Sequence, residues 1–202
     1  MDTYSVGIVS ALKKYIDSEG ADGKEELRQL LQQTSSVDRY ILLMNVRGEK
    51  WWGNTGPQMA AWHNDLETMK FMLEGLTRKQ KYRVLKIQAE SIGRTTLHYA
   101  AGPGHSSIIT YLLTDLPQEQ KFNLLQLQDV DGDTPLCHAA TYQKSEAVQA
   151  ILTSLSLPLL LQLVIIRNKK GDSAVHIRPE IYGKLLVQTL EGITLHVLYI
   201  YY

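Results

Sequence analysis

The sequence predicts an all-α solenoid of stacked helix pairs joined by short hairpin-like turns. Three observations predict it. A glycine-led motif recurs as GNTGPQMAAWHNDLETMKFML from Gly53, GRTTLHYAAGPGHSSIITYLL from Gly93, GDTPLCHAATYQKSEAVQAIL from Gly132 and a shorter GDSAVHI from Gly171, so the glycines stand 40, 39 and 39 residues apart. A Thr or Ser follows each glycine by two positions, where it can cap a helix, and the three longer copies then hold an Ala-Ala pair. Behind each Ala-Ala pair runs a stretch with apolar residues at helical spacing, such as SSIITYLL or EAVQAIL. A unit this small cannot bury its apolar face alone, so the copies must stack.

Ahead of the array, Tyr4 to Ile16 and Lys24 to Gln33 read as two helices around the solvated turn DSEGADG, and DRYILLMN reads as a third. Residues 1–47 are therefore expected to form a degenerate N-terminal capping repeat whose polar face shields the array. Residues 48–180 hold the repeats. In each, the leading glycine suits a turn needing positive φ, and Thr95, Thr134 and Ser173 are placed to cap the first helix. Pro135 fits the first helical position, where its missing N–H costs nothing, and the short Ala-rich helix to Thr141 lets a second helix come close. Between Leu113 and Gly132, and again between Leu152 and Gly171, lie 18 residues. TRKQKYRVLKIQ, LPQEQKFNLLQLQD and LPLLLQLVIIRN occupy this place, and they predict an extra short helical segment per repeat that extends the stacked core. Residues 181–202 end in the apolar GITLHVLYIYY. Ile193 to Tyr202 either fold back to seal the last repeat or meet further chain or a partner. The whole is read as one elongated domain.

These motifs resemble the ankyrin repeat, G-x-T-P-L-H-x-A-A followed by G-H-x-x-[IV]-[VI]-x-x-L-L. The copy from Gly93 matches nearly throughout; that from Gly132 keeps Thr-Pro-Leu and Ala-Ala, with Cys137 and His138 in the following places; that from Gly53 has Gly56, Pro57 and Gln58 in place of Pro-Leu-His. The period of 39 is longer than the family's usual repeat of about 33 residues. The resemblance implies that His98 and His176 bond backbone between neighbouring units. It also implies a non-catalytic protein–protein interaction module or scaffold that binds a partner through a concave groove and the turn tips. The alternative is a regulatory or targeting segment of a larger enzyme or effector whose activity lies outside this chain.

Carried onto this sequence, the resemblance gives the partner-binding tips as Trp51, Trp52 and Asn54; Ser91, Ile92 and Arg94; Val130, Asp131 and Asp133; and Lys169 and Lys170. The first-helix positions are Trp62 and His63, Pro103, and Thr141 and Tyr142. All three tryptophans fall in this set, and tryptophan is enriched at binding hot spots. Trp51, Trp52 and Trp62 are expected close together beside the groove; the competing expectation is that Trp51 and Trp52 pack on the N-terminal cap.

Composition narrows the partner. Lys plus Arg and Asp plus Glu both number 21, so the net charge is zero, which argues against nucleic acid and anionic membranes as partners. The partner is expected to be another protein, with the chain monomeric alone. The single Cys137 excludes an internal disulfide and suits a reducing compartment, cytoplasmic with the nucleus as alternative. The longest apolar stretch, residues 155–166, is interrupted by Ser156, Pro158 and Gln162 and falls short of the roughly 20 residues that span a bilayer. No cofactor, metal or catalytic residue is expected. DVDGD, from Asp129, starts like a calcium loop but has Ala140 where the twelfth-position acid belongs, so it reads as a repeat's turn. No nucleophile–base pair or phosphate loop stands out.

Overall fold

The computed structural model describes residues 3–18, 22–49 and 53–179. The predicted periodicity appears as units of three helices. The first unit holds α1 (Thr3–Asp17), α2 (Lys24–Gln33) and α3 (Ser36–Asn45); the second holds α4 (Gly56–Trp62), α5 (Leu66–Leu73) and α6 (Arg78–Leu85). The third holds α7 (Thr96–Ala101), α8 (Ser106–Leu113) and α9 (Gln118–Leu125); the fourth holds α10 (Pro135–Thr141), α11 (Ser145–Thr153) and α12 (Leu157–Val164). A fifth begins with α13 (Ala174–Ile177). There is no strand among the described residues, only one isolated antiparallel bridge, Arg167 to Ser173.

The first helices form a continuous row, with α1 on α4, α4 on α7, α7 on α10 and α10 on α13. Short side chains make this row close: Ala60, Ala61, Ala100, Ala101, Ala139 and Ala140 are all fully buried. At its N-terminal end Gly56 removes a side chain where Leu12 of α1 and Met72 would meet it; an added Cβ would lie 2.7 and 2.9 Å from their tips. The second helices add Met69, Met72, Ile108, Ile109, Leu112, Val148 and Ile151 to the core. The third helices, the segment that lengthens the repeat, bury Leu43, Val84, Leu85, Leu124, Leu125, Leu160 and Leu163. They therefore extend the stacked core.

The turns are stacked by hydrogen bonds that repeat with the units. Val130 N–H donates to the Ile92 carbonyl at 3.1 Å, and Lys169 N–H to that of Asp131 at 3.0 Å. The Gln88 amide donates to the carbonyls of Gly93 in its own turn and Gln128 in the next, and Gln128 does the same toward Gly132 and Arg167. The turn glycines Gly93, Gly132 and Gly171 have φ of 67°, 80° and 86°, as the turn requires.

Besides helix packing, a buried carboxylate ties the N-terminal unit to the array. Asp65 caps α5, accepting the Thr68 N–H at 3.1 Å. Its two oxygens also meet the Arg28 guanidinium at 3.0 Å, the Lys24 amine at 2.9 Å and the Tyr15 hydroxyl at 3.3 Å. Burial works to raise the Asp65 carboxyl, but the Thr68 and Lys24 hydrogen bonds win and hold it below the usual range. Burial and the nearby Asp65 charge push the Tyr15 phenol up. Ile193 to Tyr202, the predicted sealing tail, lie outside the described residues.

Candidate partner-binding surface

Between the first helices of the second, third and fourth units lies a cleft of about 460 Å³, walled by Trp62, Tyr99 and Tyr142, with Arg94 and Lys144 at its edge. Trp62 ends α4 and is 44% exposed; Tyr142 follows α10 and is 55% exposed. Tyr99 lies between them, buried, with its ring edge-on to Trp62 at 6.1 Å and 88°. That is the preferred arrangement of two aromatic quadrupoles. The Tyr99 hydroxyl donates to Asn54 Oδ1 at 2.7 Å, which fixes the ring from below. The His105 imidazole holds the Trp62 carbonyl at 3.0 Å.

Asn54 therefore differs from expectation. The resemblance gives it as a partner-binding tip, but it is 2% exposed and bonded to Tyr99, so it supports the cleft from inside. Ile92 and Arg94 are half-buried, with Ile92 packed against the core. Asp133, also half-buried, accepts the Asn168 amide at 2.7 Å. Ser91, Val130, Asp131, Thr141, His63, Lys169 and Lys170 are exposed, and Pro103 lines the cleft. Trp51 and Trp52 lie outside the described residues.

The floor of the cleft is a buried polar network. Burial alone would raise the Asp129 carboxyl. The His138 imidazole at 2.9 Å and the Asp133 and Asp131 amides at 3.0 and 2.9 Å overcome this and hold it well below the usual carboxylate range. Arg94 Nε approaches the same carboxylate at 3.4 Å. The His98 ring stands edge-on to His138 at 5.2 Å. Its Nδ1 accepts the Thr95 N–H at 3.1 Å, and its Nε2–H donates to the Asp133 carbonyl of the next unit at 2.9 Å. One neutral tautomer satisfies both bonds, and burial first, then the neighbouring His138, pushes the His98 pKa down to about 3. The bridge between units that the Leu-His position implied is thus present. Its nearness to His138 was not legible, because it joins positions offset by one residue in adjacent units.

Asp129, Asp133 and His138 place ligand-type atoms within 4.8 Å of one another. Both Asp129 oxygens and His138 Nε2 are held within the network, and Asp133 Oδ1 is held by Asn168. The cluster closes the turn in hydrogen bonds between protein groups. A larger hollow of about 720 Å³ runs beside α2 and α5, and across it Arg28 pairs with Glu67 at 3.0 Å.

Stacked helix units, capped by Thr or Ser after a positive-φ glycine and bridged by buried polar side chains, define a repeat solenoid with an open row of first helices. A family model described as ankyrin repeats (3 copies) matches residues 57–157, half the chain, and the protein belongs to the ankyrin-repeat family. No curated protein matches it. Ankyrin repeats mediate protein–protein interaction and are typically non-catalytic. Among the described residues, no helix is long and apolar enough to cross a membrane.

Proposed function

We propose that this chain is a non-catalytic scaffold that grips an extended segment of a partner protein along the concave row of first helices. One observation carries the reading: Trp62 and Tyr142, both about half exposed, flank a cleft whose third wall, Tyr99, is locked from beneath. A preorganised aromatic cleft binds with little ordering cost, and exposed aromatic clusters are rarely kept without use. In this reading the exposed turn tips at Ser91, Val130, Asp131, Lys169 and Lys170 join the same binding face, and the charged ones set orientation and encounter rate. Trp51 and Trp52, as residues of the first tip, belong to this proposal.

The test is affinity capture with the wild type and with a Trp62→Ala, Tyr142→Ala variant, followed by titration of the captured protein. The double variant should weaken binding by at least about 2 kcal/mol, the threshold of a hot spot. Its far-UV circular dichroism should be unchanged. A captured partner that binds both forms equally would overturn the assignment.

A further inference from the structure

Helix α6 differs from the other third helices in its charge. Arg78 to Leu85 and the capping Lys86 hold five cations and no acid, in a chain of zero net charge. One cation has an internal role. Lys81 is buried, with its amine 4.7 Å from the centre of the Tyr111 ring, 3.4 Å from the Tyr111 carbonyl oxygen and 4.0 Å from Asp115. The other four, Arg78, Lys79, Arg83 and Lys86, are exposed, and among the described residues none forms an ion pair. Lys79, Arg83 and Lys86 follow the i, i+4, i+7 pattern, so they form one stripe opposite the buried Lys81, Val84 and Leu85.

Helix stability explains only the C-terminal part of this stripe: Arg83 lies in the last turn and Lys86 caps it, where cations suit the dipole, but it does not explain Lys79. Arg78 and Lys79 sit in the first turn, at the positive end of the helix dipole. Lys79 and Arg83 are a like-charge i, i+4 pair, which is also unfavourable. The neighbouring third helices follow the opposite rule, with Asp38 in the first turn of α3 and Glu119 in that of α9. Beside the stripe lies apolar surface. α3 packs on α6 and leaves Val37 59% and Ile41 51% exposed. These are the second and sixth residues after the Ser35 cap, as Lys79 and Arg83 are after the Thr77 cap. An apolar pair and a cationic stripe thus hold the same register on adjacent helices.

We propose that the outer face of α3 and α6 is a second docking surface, separate from the first-helix cleft, for an acidic amphipathic segment of a partner protein. The segment's apolar side chains cover Val37 and Ile41, and its carboxylates meet Lys79, Arg83 and Lys86. Exposed Asp38 and Glu119 flank the stripe, so a broad anionic sheet such as a membrane meets repulsion where a narrow segment does not. The surface belongs to the helix layer that lengthens the repeat.

The test uses the full chain and a fluorescein-labelled, acetylated amphipathic peptide of about 18 residues, long enough to hold a helix, with Leu on one face and Glu on the other. Its Gln isostere and phosphatidylcholine vesicles containing phosphatidylserine are the comparison arms. Fluorescence anisotropy should show saturable binding of the Glu peptide. Affinity should fall at least about tenfold for the isostere, for Lys79→Gln, Arg83→Gln, Lys86→Gln combined, and for Val37→Ser, Ile41→Ser combined; it should also fall with salt. The charge variant should keep its circular dichroism, which shows that the loss of binding is not a loss of fold. Equal binding of the isostere, undiminished binding by either variant, or binding to vesicles but not to the peptide would each overturn the proposal.

Discussion

Four residues share one position in the repeat: Gln58, His98, Cys137 and His176. Gln58 and His98 do the same work with different chemistry. Gln58 Oε1 accepts the Thr55 N–H at 2.7 Å, and its Nε2 donates to the Arg94 carbonyl at 3.0 Å, as His98 does toward Thr95 and Asp133. His98→Ala should therefore lower stability by about 1–3 kcal/mol, because it leaves buried backbone groups unpaired. His98→Gln should cost less than about 1 kcal/mol if the amide spans the same two groups; urea denaturation of both variants checks this. Acid should act through the same ring. In the folded chain Nδ1 is an acceptor and cannot hold a proton, whereas the unfolded imidazole takes one below its ordinary pKa of 6.5. Stability should then be full above pH 6.5 and decline as the pH falls toward about 3, by up to about 1.4 kcal/mol per pH unit for this one proton. Asp129, held low, adds a loss in the same direction at the acid end. Thermal melts between neutral and acid pH should show a shallower slope for His98→Gln, and an identical slope would refute the assignment.

Among the elements, the turn glycines offer a paired comparison. All need positive φ, but a Cβ on Gly132 would lie 2.7 Å from the Lys169 backbone nitrogen, whereas Gly171 has nothing within 4 Å. Gly171→Ala should cost about 1–2 kcal/mol from conformation alone, and Gly132→Ala should cost more because the stacked turn must also move. Equal midpoints in urea would show that the stacked turn yields freely. The helices themselves were legible. Caps, Ala-Ala pairs and apolar spacing are local signals, and the third helices lie where the segments that lengthen the repeat predict them. The site was only partly legible. Trp62 and Tyr142 stand exposed where the repeat pattern put them. Asn54 was misplaced because its burial depends on Tyr99, 45 residues away, and no local pattern reports that reach.

At the scale of the molecule, the array is a chain of neighbours, and its stability is set by how well each unit couples to the next. Polar arms from the shared position bridge the second unit to the third and the third to the fourth. The fourth unit offers Cys137 there, whose hydrogen bonding is with Thr134 within its own unit. Among the described residues, the turn contacts and the packing of α10 on α13 carry that junction. Amide exchange should therefore be faster in Ser173 to Ile177 than in Thr95 to Ala101, and uniform protection along the row would contradict this. A polymer held by unequal links yields first at the weakest. Under load or heating, this one should come apart in order, releasing α13 first, while the aromatic cleft, whose last wall Tyr142 stands in the adjoining unit, is still intact.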